Sequence, residues 1–270
     1  MLTFKNEKVT KKEYDQILLA EKKYNLYKQG SLPRFVNDIP DVIDYRIKIY
    51  ENKKEGLHKG QYKLYLSEVD FLTDYARYGS LIIYVGAASG MHINELYDEF
   101  KHMNLSYHLY DINIFDSKLQ TKENITLFLE YFTDEHCQRY KEYNDILFIS
   151  DIRNMDIGKG LDVVPEDMSL QMGWVLKINP RASMLKFRLP YDSDTPIEYL
   201  DGENRLQAYA ACSTTECRLV SEKPYRTKIY DPRDHENRLF YLNRMIRQWY
   251  DYDKILEHYI LNKFNKFIKK

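Results

Sequence analysis

The chain has 270 residues, of which 44% are hydrophobic and 30% charged, with a formal net charge of −1. That balance suits a soluble globular protein with a sizeable core and argues against a disordered chain, and no apolar stretch approaches the roughly 20 residues that cross a bilayer. The near-neutral total conceals an asymmetry: basic residues predominate from Arg218 to Lys270 and acidic ones from His92 to Asp151, so the C-terminal part is suited to attracting phosphate.

Apolar residues at helical spacing predict a helix over 11–28, after which Gly30, Pro33 and Pro40 break the pattern. A second amphipathic helix is expected over 62–78, closed by Gly79. The period then changes. Leu81-Ile82-Ile83-Tyr84-Val85 is a continuous apolar run, as in a strand covered on both faces. A glycine-bearing turn follows at 86–90 and a helix at 91–101. Further strands are expected at 108–110, 125–128 and 146–150. Residues 167–178 read as a helix ended by Pro180, 183–189 and 206–220 as later strands, and 237–249 and 251–268 as closing helices. Strands alternating with helices predict an α/β fold, a mostly parallel sheet with helices on both faces. With no repeat or linker, the expectation is one domain over 1–270. It comprises a helical extension at 1–60, a catalytic core at 61–220 and a basic helical part at 221–270. Cys137, Cys212 and Cys217 form no metal-ligand pair, and their odd number suits a reducing compartment. The N-terminus lacks the apolar core of a signal peptide. A cytoplasmic protein without a membrane partner is expected.

In such sheets a ligand binds beyond the carboxyl ends of the strands. Here Tyr84-Val85-Gly86-Ala87-Ala88-Ser89-Gly90 supplies a turn where backbone can approach a ligand, and Asp111, at the end of the second strand, can accept from two ribose hydroxyls. The full G-x-G-x-x-G spacing is lacking, which favours S-adenosylmethionine over a nicotinamide cofactor. A tight strand-to-helix turn with no ligand would carry the same two glycines.

Four charged residues sit amid apolar neighbours: Lys63 on the helix before the first strand, Asp151 at the end of the fourth, and Lys186 and Glu216 within later strands. Each alone could face solvent from an alternating strand. Together they suit a reaction in which a hydroxyl loses its proton while it attacks. A lysine serves as base where burial or another cation lowers its pKa, and carboxylates hold it in place. No metal is required, because the leaving group is a neutral thioether.

These landmarks, in order, are GQYKLYLSE at 60–68, YVGAASGMH at 84–92, ISDIR at 149–153, INPRASMLKFRLPY ending at 191, TECRL at 215–219 and FYLNRMIR at 240–247. From about Tyr45 to Arg247 the chain resembles the poxvirus cap-specific mRNA 2′-O-methyltransferases, which are also the small regulatory subunits of the viral poly(A) polymerase. The resemblance implies a Rossmann-like methyltransferase fold and a catalytic tetrad of Lys63, Asp151, Lys186 and Glu216, with Lys186 as base. It places S-adenosylmethionine on Gln61, Leu64, Tyr84, Gly86, Gly90, His92, Asp111, Tyr131, Phe132, Asp151 and Arg153. It places the 7-methylguanine of capped mRNA between Tyr45 and Tyr191, with Asp192 and Glu236 at its edge, a cation–π arrangement. A poly(A) polymerase catalytic subunit is an implied partner. Three departures stand out: Asn113 in place of an arginine, Ser89 in place of a proline, and Ser213 in place of a cap-pocket aromatic. The competing readings are a non-catalytic processivity subunit, a small-molecule methyltransferase and a nicotinamide oxidoreductase. The intact tetrad, the basic C-terminal part and the glycine spacing argue against them in turn.

Overall fold

The apolar runs at 81–85 and 146–150 lie side by side in the centre of a seven-stranded sheet. The computed structural model describes residues 32–44, 59–153, 163–191, 193–247 and 251–269. The helix expected at 11–28 lies outside them, as does most of the expected N-terminal extension.

In chain order the strands are β1 (Leu81–Val85), β2 (Ser106–Tyr110), β3 (Ile125–Phe128), β4 (Ile146–Ser150), β5 (Ala182–Phe187), β6 (Ile197–Leu200), β7 (Glu203–Arg205), β8 (Cys217–Glu222) and β9 (Thr227–Tyr230). The sheet order is β3-β2-β1-β4-β5-β8-β7. The first five run parallel, and β8 is antiparallel to both β5 and β7. β6 and β9 form a separate antiparallel ladder. The helices are α1 (Gly60–Tyr75), α2 (Met91–Glu99), α3 (Asp134–Arg139), α4 (Val164–Ile178), α5 (Pro232–Tyr241) and α6 (Tyr252–Phe267).

Because side chains alternate along a strand, β1 shows why its run is unbroken. Tyr84 points to one face, where its hydroxyl donates to Glu68 of α1 at 2.8 Å; α1 packs there with α2 and α6. The opposite face carries Phe148 of β4, which meets Phe132, itself edge-on to Trp174 of α4 at 5.1 Å. Every residue of β1 and β4 is buried. Full burial of an Ile or Leu side chain contributes about 1.5–3 kcal/mol, so these two strands are the core that fixes the sheet.

Several boundaries differ from the sequence expectation. The helix expected at 62–78 is α1, which ends at Tyr75, where Ala76 turns extended. The one expected at 91–101 ends at Glu99 and passes into a 3-10 turn at Lys101–Met103. α4 stops on Asn179, which takes the left-handed conformation (φ 52°), one residue ahead of Pro180. The helix expected from 237 begins at Pro232: Asp231 caps it by accepting from the main-chain N–H groups of Arg233 and Asp234, and a proline in the first turn sacrifices no hydrogen bond. It continues as a π turn at Leu242–Ile246. The largest correction concerns 206–220. Only Cys217–Glu222 forms a strand, and 206–216 is an irregular loop, buried at 206–210 and again at 215–216.

Candidate active site

In the parallel register Val85 pairs with Ser150, so the chain leaves β1 and β4 at the same level. Asp151 donates its N–H to Val85 O at 2.9 Å. Gly86, at φ +81°, lies so close that a Cβ would meet Asp151 C at 2.9 Å and Ile152 N at 3.0 Å. A side chain is excluded there by both conformation and space. Gly86→Ala is expected to cost about 1–3 kcal/mol, read as a lower urea midpoint; an unchanged midpoint would show that the turn can relax.

Beside this turn the four charged residues come together. Lys63 Nζ, from α1, lies 2.7 Å from Glu216 Oε1. Lys186 Nζ, from β5, reaches Asp151 Oδ1 at 3.0 Å and the Asp151 carbonyl at 3.2 Å. A fifth residue joins the two pairs. Arg218 of β8 is opposite Lys186 in the ladder, and its Nη1 lies 2.7 Å from Asp151 Oδ1 and its Nη2 3.6 Å from Glu216 Oε1. Arg153 Nη2 also meets Glu216 Oε2 at 3.1 Å, so this expected cofactor residue is paired with the charge cluster. Glu216 is placed in the loop just before β8, not within a strand. Gln207, with its amide oriented to satisfy its neighbours, donates to Glu216 Oε1 at 3.3 Å and accepts from Arg218 Nε at 2.9 Å.

Four cations therefore face two carboxylates. Burial pushes both carboxylates up, but Arg218 and then the lysines outweigh it: Asp151 is held well below the usual range and Glu216 falls to about 2. Lys63 is lowered, first by burial and then by Arg218, despite its contact with Glu216. The excess of positive charge favours a site in which a lysine gives up a proton and an oxyanion is welcome.

The other expected cofactor residues divide. Asp111 lies at the end of β2, with Oδ2 accepting from Ala88 N at 2.9 Å and Oδ1 from the backbone and side chain of Asn113, each at 2.9 Å. Asn113, a departure from the family pattern, thus fixes this carboxylate. Gly90 (φ +74°) precedes α2, and a Cβ there would strike Leu119 at 2.7 Å, a packing requirement. Gln61 stands at the exposed start of α1, half-buried Leu64 lies one turn on, and Tyr131 is exposed after β3. Tyr84 and Phe132 spend their side chains in the core. His92 is buried between Gln61 Oε1 (2.8 Å) and Glu68 Oε1 (2.9 Å).

Of the expected cap residues, Tyr45 and Asp192 lie outside the described residues. The half-buried Tyr191 ring has the Arg188 guanidinium 4.5 Å from its centroid. Glu236 is fully buried with Arg233 Nη1 at 3.2 Å, and Ser213 is exposed. Among the described residues no cluster of His, Cys, Asp and Glu could hold a metal ion, and no helix is long and apolar enough to cross a membrane.

The irregular loop that delivers Gln207 and Glu216 is hung from the C-terminal helices. Arg247 donates to the carbonyls of Gln207 (2.9 Å) and Ala210 (2.8 Å), Asn243 to that of Thr214 (2.8 Å), and His235 Nε2 faces that of Thr215 at 3.0 Å. From α6, Asp253 accepts from Tyr209 N at 2.9 Å. Burial drives His235 down from 6.5 to about 4. The folded state thus resists a proton that the unfolded chain takes up near 6.5. Stability is full above that pH and falls by about 3 kcal/mol as the pH drops to 4. Urea melts from pH 7.5 to 4 should show this loss, and His235→Gln, which keeps a donor for Thr215, should flatten it; an equally steep loss in the variant would refute the assignment.

Residues 31–270 match the family described as the poly(A) polymerase regulatory subunit. The cap-specific mRNA (nucleoside-2′-O-)-methyltransferase of Myxoma virus (strain Lausanne) is 30% identical, over 79% of this chain and 69% of the relative. The protein of the same name from Fowlpox virus (strain NVSL) is 29% identical, over 79% and 76%. Among solved structures, the multifunctional RNA-capping protein VP4 of bluetongue virus superposes with a TM-score of 0.54 at 13% identity, over 92% of this chain and 44% of that one, a likeness of fold alone. With a match over nearly all of its length, the chain belongs to the poly(A) polymerase regulatory subunit family.

Proposed function

We propose that the protein transfers a methyl group from S-adenosylmethionine to the ribose 2′-hydroxyl of the first transcribed nucleotide of 7-methylguanosine-capped mRNA. The observation that carries this reading is the convergence of Lys63, Asp151, Lys186, Glu216 and Arg218 beside the Gly86 turn. When bound, S-adenosylmethionine supplies an electrophilic methyl on a sulfonium. Gly86 lets backbone approach it closely, and Asp111, fixed by Ala88 and Asn113, accepts from its ribose hydroxyls. Lys186 Nζ, with two contacts spent on Asp151, keeps one position for the 2′-oxygen and takes its proton during attack. Asp151 orients that nitrogen. Lys63, Arg218 and Arg153 hold Glu216 and leave the site net positive, which stabilises the oxygen as it loses its proton.

Tyr191 and Tyr45 would stack the cationic base, with Asp192 and Glu236 at its edge. The poxvirus relatives support action in the cytoplasm. The family description supports a second role beside a poly(A) polymerase catalytic subunit, as an RNA-binding processivity factor.

The test is methyl transfer from labelled S-adenosylmethionine to short RNAs bearing a 7-methylguanosine cap, an unmethylated cap or none. Transfer to a ribose 2′-oxygen of the methylated-cap RNA alone is expected. Transfer without cap preference would remove the cap assignment, and RNA binding without transfer would leave only the processivity role.

A further inference from the structure

On the α1 face of the sheet a carboxylate is buried where the proposed chemistry does not use it. Glu68 is 1% exposed. Its Oε1 accepts from the Tyr84 hydroxyl at 2.8 Å and faces His92 Nε2 at 2.9 Å, while its Oε2 has no hydrogen-bond partner. A buried carboxylate with an unmet oxygen needs a counter-charge. Among the described residues, His92 is its only ion-pair partner. An imidazolium carries N–H on both nitrogens. If Nε2 donates to Glu68, Nδ1 donates as well, and its partner is Gln61 Oε1 at 2.8 Å. The Gln61 amide is then turned with its NH₂ away from His92. Gln61 itself is exposed, two residues before Lys63, at a cleft of about 620 Å³ that His92, the carboxylates Glu95, Asp98 and Asp116, and the cations Lys118 and Lys122 also line.

We propose that Glu68 and His92 are positioning residues that lock the Gln61 amide with its N–H donors outward, so that Gln61 selects a cofactor carrying a carboxylate. The proposal rests on the cofactor assignment of Gln61 made above. A neutral His92 would still donate to Glu68 but would accept at Nδ1. The amide would turn over and present its oxygen, which repels an anion. The groups facing His92 decide between these states. Glu68 and Gln61 reach it from α1, Tyr84 stands edge-on from β1 at 6.3 Å, and Asp151 and Arg218 act at longer range with opposite signs. Burial lowers the His92 pKa, but Glu68 overcomes it and the net displacement is upward.

The test has two parts on the full chain. Nitrogen NMR of the ligand-free protein at pH 7 should show His92 protonated on both ring nitrogens, and Glu68→Gln should abolish this; a neutral His92 in the parent protein overturns the proposal. Calorimetry should then compare S-adenosylmethionine with its decarboxylated, carboxylate-free analogue. The parent should prefer the carboxylate by at least about tenfold, one charge-assisted hydrogen bond. Gln61→Ala and Glu68→Gln should both lose that preference with little change for the analogue. Because Gln61 is exposed, its variant is expected to fold even if Glu68→Gln does not. If S-adenosylmethionine binds with its preference intact in Gln61→Ala, the proposal alone falls. If neither compound binds the parent, the cofactor reading falls and takes the proposal with it.

Discussion

Lys186→Ala is expected to slow methyl transfer to capped RNA by about 10²- to 10⁴-fold, the usual effect of losing a general base, with the affinity for S-adenosylmethionine essentially unchanged. Of the residues expected to hold the cofactor Lys186 touches Asp151, whose carboxylate Arg218 also holds at 2.7 Å. Its loss therefore removes proton acceptance and leaves the Gly86 turn and Asp111 in place. Lys63→Ala should be milder, because Lys63 meets Glu216 rather than Asp151. Single-turnover transfer beside calorimetric cofactor titration separates the two effects. A Lys186→Ala rate within about tenfold of the parent would mean that water or another residue takes the proton. A parallel fall in cofactor affinity would make Lys186 a binding residue.

Arg218→Leu should have the largest effect on stability. The guanidinium is 3% exposed and lies between Asp151 and Glu216. Without it the two buried carboxylates keep only the lysines and the exposed Arg153, and breaking a buried charge arrangement in this way costs about 3–5 kcal/mol. The acid profile should move too. Glu216 now falls from 4.5 to about 2, with Arg218 its foremost cationic neighbour. Its contribution is therefore present above 4.5 and is lost as the pH falls towards 2. In the variant both carboxylates would protonate at higher pH, and that loss would begin earlier. Urea melts at pH 7 and pH 4 read both effects. A variant as stable as the parent would show that desolvating the guanidinium cancels its attraction.

The parallel centre of the sheet was legible because β1 and β4 are covered on both faces and their sequences are unbroken apolar runs. The short edge elements were not. β7 spans three residues, and β6 and β9 pair only with each other in a small ladder. Neither length nor period marks such pieces. The stretch at 206–216 misled for another reason. Leu206, Ala208, Tyr209 and Ala210 are buried as in a strand, but the carbonyls of 207, 210, 214 and 215 meet side chains from residues 235–247. A partner that far along the chain leaves no local signature. Lys63, Asp151, Lys186 and Glu216 stood out as charges among apolar neighbours, and the same signal was present at Arg218 between Cys217 and Leu219. The fate of Tyr84 and Phe132 was hidden, because only packing decides whether a ring serves the crevice or the core.

The suspension of the 206–216 loop from the C-terminal helices orders the assembly of the protein in time. On the ribosome the sheet-forming segments through β5 emerge well before Asn243, Arg247 and Asp253. Until those residues follow, the carbonyls at 207, 210 and 214 have only water, and Glu216 has no fixed place opposite Lys63. A nascent chain is therefore expected to gather its central strands early and its charge cluster last. Partially synthesised chains are therefore expected to be catalytically silent, and a nick between β9 and α5 should extinguish transfer while the central strands stay paired.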